Sequence, residues 1–191
     1  MVTYDEKDFE NLVKEFRESY SRKDKIFLKK REWQSDAKAA IFAIHRNEKS
    51  KAEKIIKELE EKCKTIDKLD DYSDFLEEFF EAELLYYYIK NDEIKSRDYF
   101  LKLFSNVKDQ NDELNRLYIS ALSDFTGELV RLAVNYTIKE NFEKVKNISE
   151  TIELIYDYLI KCDITGDLRK KFDAIRWNLD KVHELLLKGV K

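Results

Sequence analysis

Apolar residues recur along this chain in steps of three and four, with charged residues between them, which predicts helix almost from end to end. Phe9, Leu12, Val13, Phe16 and Tyr20 hold that spacing first, and Ile26, Phe27, Trp33, Ala37, Ile41 and Ile44 continue it. One long helix is expected over residues 4–47, with a bend near 19–21. A second, over 50–67, carries the stripe Ile55, Ile56, Leu59, Cys63 and Ile66. Ser50 and Glu53 stand at capping-box spacing at its start. The third, over 73–90, is capped by Ser73 or Asp74. It is apolar on most of its circumference, from Phe75 and Leu76 through Phe79, Phe80, Leu84 and Leu85 to the run Tyr86–Ile89. Such a helix is either buried or part of an interface. A short fourth helix is expected over 93–104, and a polar loop over 105–111 follows it. The fifth spans 112–139, with Leu114, Leu117, Tyr118, Leu122, Phe125, Leu129, Leu132 and Tyr136 facing a core. A sixth starts at Asn141. The seventh covers 167–188, with Gly189 as its C-cap. The pattern is that of an all-α fold of seven helices in a single domain spanning residues 1–191.

Composition changes this picture little. There are no prolines and only three glycines, so few breaks are available. Charged residues make up 40% of the chain, but 43% is hydrophobic, enough for a sizeable core. The tyrosines and phenylalanines exceed what a thin bundle holds, which points to subunit interfaces as well. The net charge of −4 argues against a general nucleic-acid coat protein and leaves room for a local basic groove. The strongest basic cluster is Arg22, Lys23 and Lys25 followed by Lys29, Lys30 and Arg31. It reads either as a solvated face with i,i+4 pairs or as a phosphate contact. Cys63 and Cys162 lack metal-ligand spacing and read as two reduced thiols. Residues 1–15 carry no apolar core of a secretory signal, and no run of about 18 apolar residues exists to span a membrane. A cytoplasmic protein without membrane partners is the expectation.

The chemistry lies in two acidic pairs. Glu78 and Glu81 interrupt the apolar third helix, in line with Leu85 and Tyr88. Asp124 and Glu128 lie one turn apart on the fifth, where like charges repel. Gly127 sits between them and costs about 1 kcal/mol against alanine in a helix interior. A close neighbouring helix, a metal or a ligand would account for both choices. If the two helices face each other, four carboxylates converge and must be protonated or neutralised by cations. An oxygen-only set suits Mg²⁺, Mn²⁺ or Ca²⁺. Solvated helix faces with the same spacing remain the alternative. Neither His45 nor His183 follows a glutamate by three residues, so the di-iron bundle pattern is absent. Both histidines read as core or surface residues. Catalytic triads, Gly-rich phosphate loops and zinc spacings are also missing.

The chain resembles the translin/Trax family over nearly its whole length, and the Trax branch more than the translin branch. The resemblance is carried by Ile41-Phe42-Ala43-Ile44-His45-Arg46, by Glu78-Phe79-Phe80-Glu81-Ala82 and by Asp124-Phe125-Thr126-Gly127-Glu128-Leu129-Val130-Arg131. The segment from Leu168-Arg169-Lys170-Lys171-Phe172 to Leu179-Asp180-Lys181-Val182 fits the family's last helix. It implies a translin-like bundle with a long N-terminal helix. It also implies a Mg²⁺-dependent endoribonuclease, with Mn²⁺ as a substitute, acting on single-stranded RNA. The acids of the Trax branch match Glu78, Glu81, Asp124 and Glu128, which would be both metal ligands and catalytic residues. The alternative is a non-catalytic, translin-like oligomer that binds single-stranded RNA or DNA. Asp70-Asp71-Tyr72-Ser73-Asp74 stands where the translin branch is basic. Lys29, Lys30, Arg31 and Arg131 are the expected substitutes for holding RNA. The resemblance further implies a closed homo-oligomer, an octamer among the options.

Overall fold

The computed structural model describes residues 5–108 and 111–190, without the side chain of Val190. Seven α-helices follow in order: α1 (Glu6–His45), α2 (Lys49–Cys63), α3 (Ser73–Asn91), α4 (Arg97–Leu103), α5 (Asn111–Ile138), α6 (Phe142–Leu159) and α7 (Asp167–Leu187). Short 3-10 turns cover Asp70–Tyr72 and Lys188–Val190. No strand occurs among the described residues. The expected start of the first helix at Tyr4 lies outside them, as do Asp109 and Gln110 of the expected loop.

Asp5 caps α1, its side chain accepting from the backbone N–H groups of Lys7 and Asp8 at 3.0 and 3.4 Å. The helix runs through 19–21 without a break. Its 40 residues correspond to about 60 Å of helix. Only its C-terminal half joins the bundle. Trp33, Ala37, Ala40, Ile41, Ala43 and Ile44 are buried, whereas residues 5–25 are all exposed. Phe27, expected on the apolar face, is also exposed.

Glycine-poor turns find other residues for left-handed backbone. At the end of α1, Asn47 takes φ 61°. Its N–H bonds the Ile44 carbonyl and that of Glu48 bonds the Ala43 carbonyl, the paired bonds of a Schellman cap. Glu140 repeats the arrangement after α5 with φ 55°, bonding Thr137 while Asn141 bonds Tyr136. The expected caps at Ser50, Ser73 and Asp74 do not form. The α1 turn leads into α2 one residue earlier, at Lys49, and the 3-10 turn leads directly into α3; no side-chain cap bond is made at either start. Gly189 lies in the closing 3-10 turn rather than in a left-handed cap, and a Cβ there would meet the Phe142 ring at 2.6 Å. α2 stops at Cys63, and α4 starts only at Arg97.

α3 lies between α1 and α5, and α5 packs in turn on α6 and α7. This central position explains why α3 is apolar nearly all round. Phe75, Leu76, Phe79, Phe80, Ala82, Leu84 and Leu85 are fully buried inside the chain's own core. The surface that suggested self-association is therefore used internally. An aromatic ladder runs along it, from Trp33 over Phe75 and Phe79 to Phe80 and Phe100, with centroids 4.0–6.1 Å apart. Cys63 is buried and Cys162 exposed, both as free thiols. None of the described helices is long and apolar enough to cross a membrane.

Candidate carboxylate site between α3 and α5

The contact of α3 with α5 brings the two acidic pairs together. Glu81 is the centre of the group. Burial, and then the charges of Asp124, Glu128 and Glu78, push its carboxyl up to about 8, with Lys171 pulling the other way. A carboxylate near three others inside a low-dielectric interior holds a proton at neutral pH unless a cation arrives.

The other acids are already engaged by cations. Asp124 accepts from Lys171 Nζ at 2.7 Å, and the same ammonium reaches Glu77 and Ser120 at 2.7 Å each. Burial raises the Asp124 carboxyl, and Lys171 opposes that rise. Burial would also raise Glu77, but the donors Lys171, Ser120 and Arg116 bring it below the usual carboxylate range. Arg116 in turn holds Glu77 at 3.1 Å and grips Glu113 with two bonds of 2.7 and 2.8 Å. Glu78 faces Lys38 of α1 at 3.1 Å. Glu128 is bound by His45 Nε2, also from α1, and lies 3.6 Å from Arg131. His45 is almost fully buried, and its Nδ1 has no partner.

The four predicted acids thus meet in one place, and Arg131 joins them. The remaining predicted cations do not. Lys30 pairs with Asp74 at 2.9 Å, while Lys29 and Arg31 are exposed, Arg31 lying over the Phe27 ring. Lys171, Lys38, Glu77 and His45 were missed. Lys171 comes from α7, which no spacing within α3 or α5 could reveal. His45, read as a core or surface histidine, is a core histidine that also touches the site. Gly127 turns out not to mark a tight approach. A Cβ there would find Asn178 Nδ2 at 3.8 Å, an ordinary contact.

A hard divalent cation fits this set in donor type and in charge, because Glu81 sits where a positive charge is lacking. The side chains as they stand are turned toward protein cations instead. Among the described residues no three His, Cys, Asp or Glu groups form a ready cage. Glu78, Glu81, Asp124 and Glu128 are the residues that would hold the ion once Lys38, Lys171 and Arg131 yield.

A second buried carboxylate lies elsewhere on α3. Glu83 pairs with Lys95, while its Oε2 has no partner. Burial raises its pKa, and Lys95 opposes the rise. Tyr99 bonds Glu60 beside it. This network ties α4 to α2 and α3, away from the four acids.

The fold and the sequence have known counterparts. An uncharacterized protein of Methanocaldococcus jannaschii is 28% identical, over 85% of this chain and 74% of that protein. The crystal structure of apo-NeC3PO superposes with a TM-score of 0.82 at 25% identity, covering 99% of this chain and 100% of that one. AfC3PO, alone and as a duplex RNA complex, gives 0.76 and 0.75 at 22% identity, over 95% of this chain and 96% of each of those, a likeness of fold. The Translin family model matches residues 21–188, from the middle of α1 to just past the end of α7, and so takes in all four acids. With that match across most of its length, this chain belongs to the Translin family.

Proposed function

We propose that this protein is a Mg²⁺-dependent endoribonuclease acting on single-stranded RNA. The observation that carries the reading is Glu81, buried beside Asp124, Glu128 and Glu78 with its carboxyl pushed up to about 8. Four carboxylates placed so close repel one another unless protonated, and a divalent cation would neutralise them. A carboxylate-held Mg²⁺ would supply Lewis-acid stabilisation of phosphoryl charge and a water acidified toward hydroxide. The chain's own residues do the rest. Glu78, Glu81, Asp124 and Glu128 would hold the ion, Glu81 as the deprotonated carboxylate. Lys171, bonded also to Ser120 and Glu77, holds Asp124 until the ion takes its place, while His45 fixes Glu128. Arg131 offers its guanidinium to a phosphate oxygen when it leaves Glu128. The duplex RNA held by AfC3PO supports nucleic acid as the class of partner.

The competing reading is a non-catalytic oligomer that binds nucleic acid. The cations already seated on Asp124, Glu78 and Glu128 favour it. One experiment separates the two: purified protein incubated with labelled single-stranded RNA, with and without Mg²⁺. Cleavage only with Mg²⁺, abolished in Glu81→Gln and Glu128→Gln while RNA binding persists, is the expected result. Equal cutting by both variants would remove these acids from the site. Binding without cleavage by the parent would establish the non-catalytic reading.

Self-association belongs to the same proposal, on a new basis. Leu12, Val13, Phe16 and Tyr20 line the exposed half of α1, and Phe16 is 59% exposed. Acids outnumber bases over residues 6–18 and bases outnumber acids over 22–31. Two copies of this arm laid antiparallel would cover their apolar stripes and set acidic ends against basic ones. A closed assembly, such as an octamer, can be built from such pairs.

A further inference from the structure

Phe42 stands at the edge of the carboxylate site with half of its surface exposed, between the buried neighbours Ile41 and Ala43. The Arg131 guanidinium lies 5.3 Å from its ring centroid, and its Nη1 lies 3.6 Å from Glu128. One turn earlier on α1 is Lys38, itself half exposed and paired with Glu78. An aromatic ring, a guanidinium and an ammonium thus border the acids on one side, and each cation is linked to one of those acids.

From this we infer that Phe42 is a nucleobase-stacking residue. It takes one unpaired base of the RNA strand on its free face while Arg131 and Lys38 receive adjoining phosphates. Single-strand sites combine these elements, an aromatic platform and cations along the backbone, because every base has a π-face. The choice of nucleotide over protein follows from charge. Burying Phe42 under an apolar protein surface would remove Lys38 and Arg131 from water beside acids they already neutralise, an unfavourable step. A nucleotide brings its own phosphates to those cations, and the base covers the ring. The guanidinium above Phe42 also adds cation–π attraction to the stack. The inference rests on the RNA-directed reading of the site and adds a residue outside the carboxylate set.

The test is equilibrium binding of a fluorescent single-stranded RNA in EDTA, by anisotropy, for the parent and for Phe42→Ala, Phe42→Leu and Phe42→Trp. Loss of one stacked base corresponds to roughly 5- to 100-fold weaker binding for Phe42→Ala. Phe42→Trp should hold parental affinity within a few-fold, and Phe42→Leu should fall with the alanine variant. The slope of log affinity against log salt should not change in these variants, whereas Arg131→Gln should flatten it by about one unit. Thermal melting and light-scattering mass should be parental throughout. Undiminished binding by Phe42→Ala, or parental binding by Phe42→Leu, would overturn the stacking role and leave the ribonuclease reading intact. A fall in assembly mass on substitution would overturn it in favour of a subunit contact. A parent that fails to bind RNA would sink the functional proposal itself, and this one with it.

Discussion

Glu81 has the most to say at the scale of single residues. Its carboxyl is raised from the usual range to about 8, so in the metal-free protein it binds a proton that the unfolded chain releases near pH 4.5. Between those values the folded state holds more protons, and stability therefore falls as pH rises, on the order of a few kcal/mol at most. Glu81→Gln removes the titration. Melted without metal, the variant should match the parent at pH 5 and exceed it at pH 8, and Mg²⁺ should raise the melting temperature of the parent at pH 8 but not that of the variant. Parallel melting curves across the pH range would show that the carboxyl is ordinary. The spacing of Glu78 and Glu81 on an apolar helix was enough to single out this residue. Its neighbour Lys171 was not readable, because a lysine in a charged helix has no mark of a buried partner until the fold supplies Asp124 and Glu77.

At the scale of elements, two helices carry residues that are not there for helix stability. Gly127 on α5 was expected to mark a close approach, yet the nearest atom to an added methyl would be Asn178 Nδ2 at ordinary contact distance. Gly127→Ala should therefore stabilise the protein by about 1 kcal/mol in urea unfolding, through helix propensity alone. A loss instead would mean that the Asn178–Thr126 bond of 2.8 Å is displaced by the methyl group. Helix ends were the least legible feature. Ser50 and Ser73 look like caps by type, but the chain enters α2 through the left-handed Asn47 and α3 through a 3-10 turn. Those entries are set by where α1 must release the chain, not by the first residues of the helix that follows.

At the scale of the whole molecule, the exposed half of α1 is the surface that the proposed self-association would use. An isolated helix with an apolar stripe is marginal in water and gains by pairing. Light scattering at micromolar concentration should give a mass above the monomer's 23.0 kDa. Replacing Leu12 and Phe16 together by serine should lower the mass while leaving the melting of the bundle within a few degrees. High salt should weaken the pairing, because the acidic and basic ends of the arm attract through solvent. A monomeric parent, or a double variant with parental mass, would rule the arm out as the interface.

What the sequence determined by itself was whatever depends on local spacing. Three- and four-residue periodicity placed seven helices and most of their inward faces, and carboxylates at helical spacing picked out Glu78, Glu81, Asp124 and Glu128. Those are properties of one helix at a time. Only the tertiary structure decided which faces meet. It showed that α3 is apolar nearly all round because it is the bundle's central helix, and that the exposed apolar surface of α1 lies on its N-terminal half. It brought His45 and Lys38 of α1 and Lys171 of α7 to acids on α3 and α5, from as far as 94 positions away in the case of Glu77. Pairings at that separation depend on the packing of several helices at once, and nothing in the residues flanking either partner encodes them.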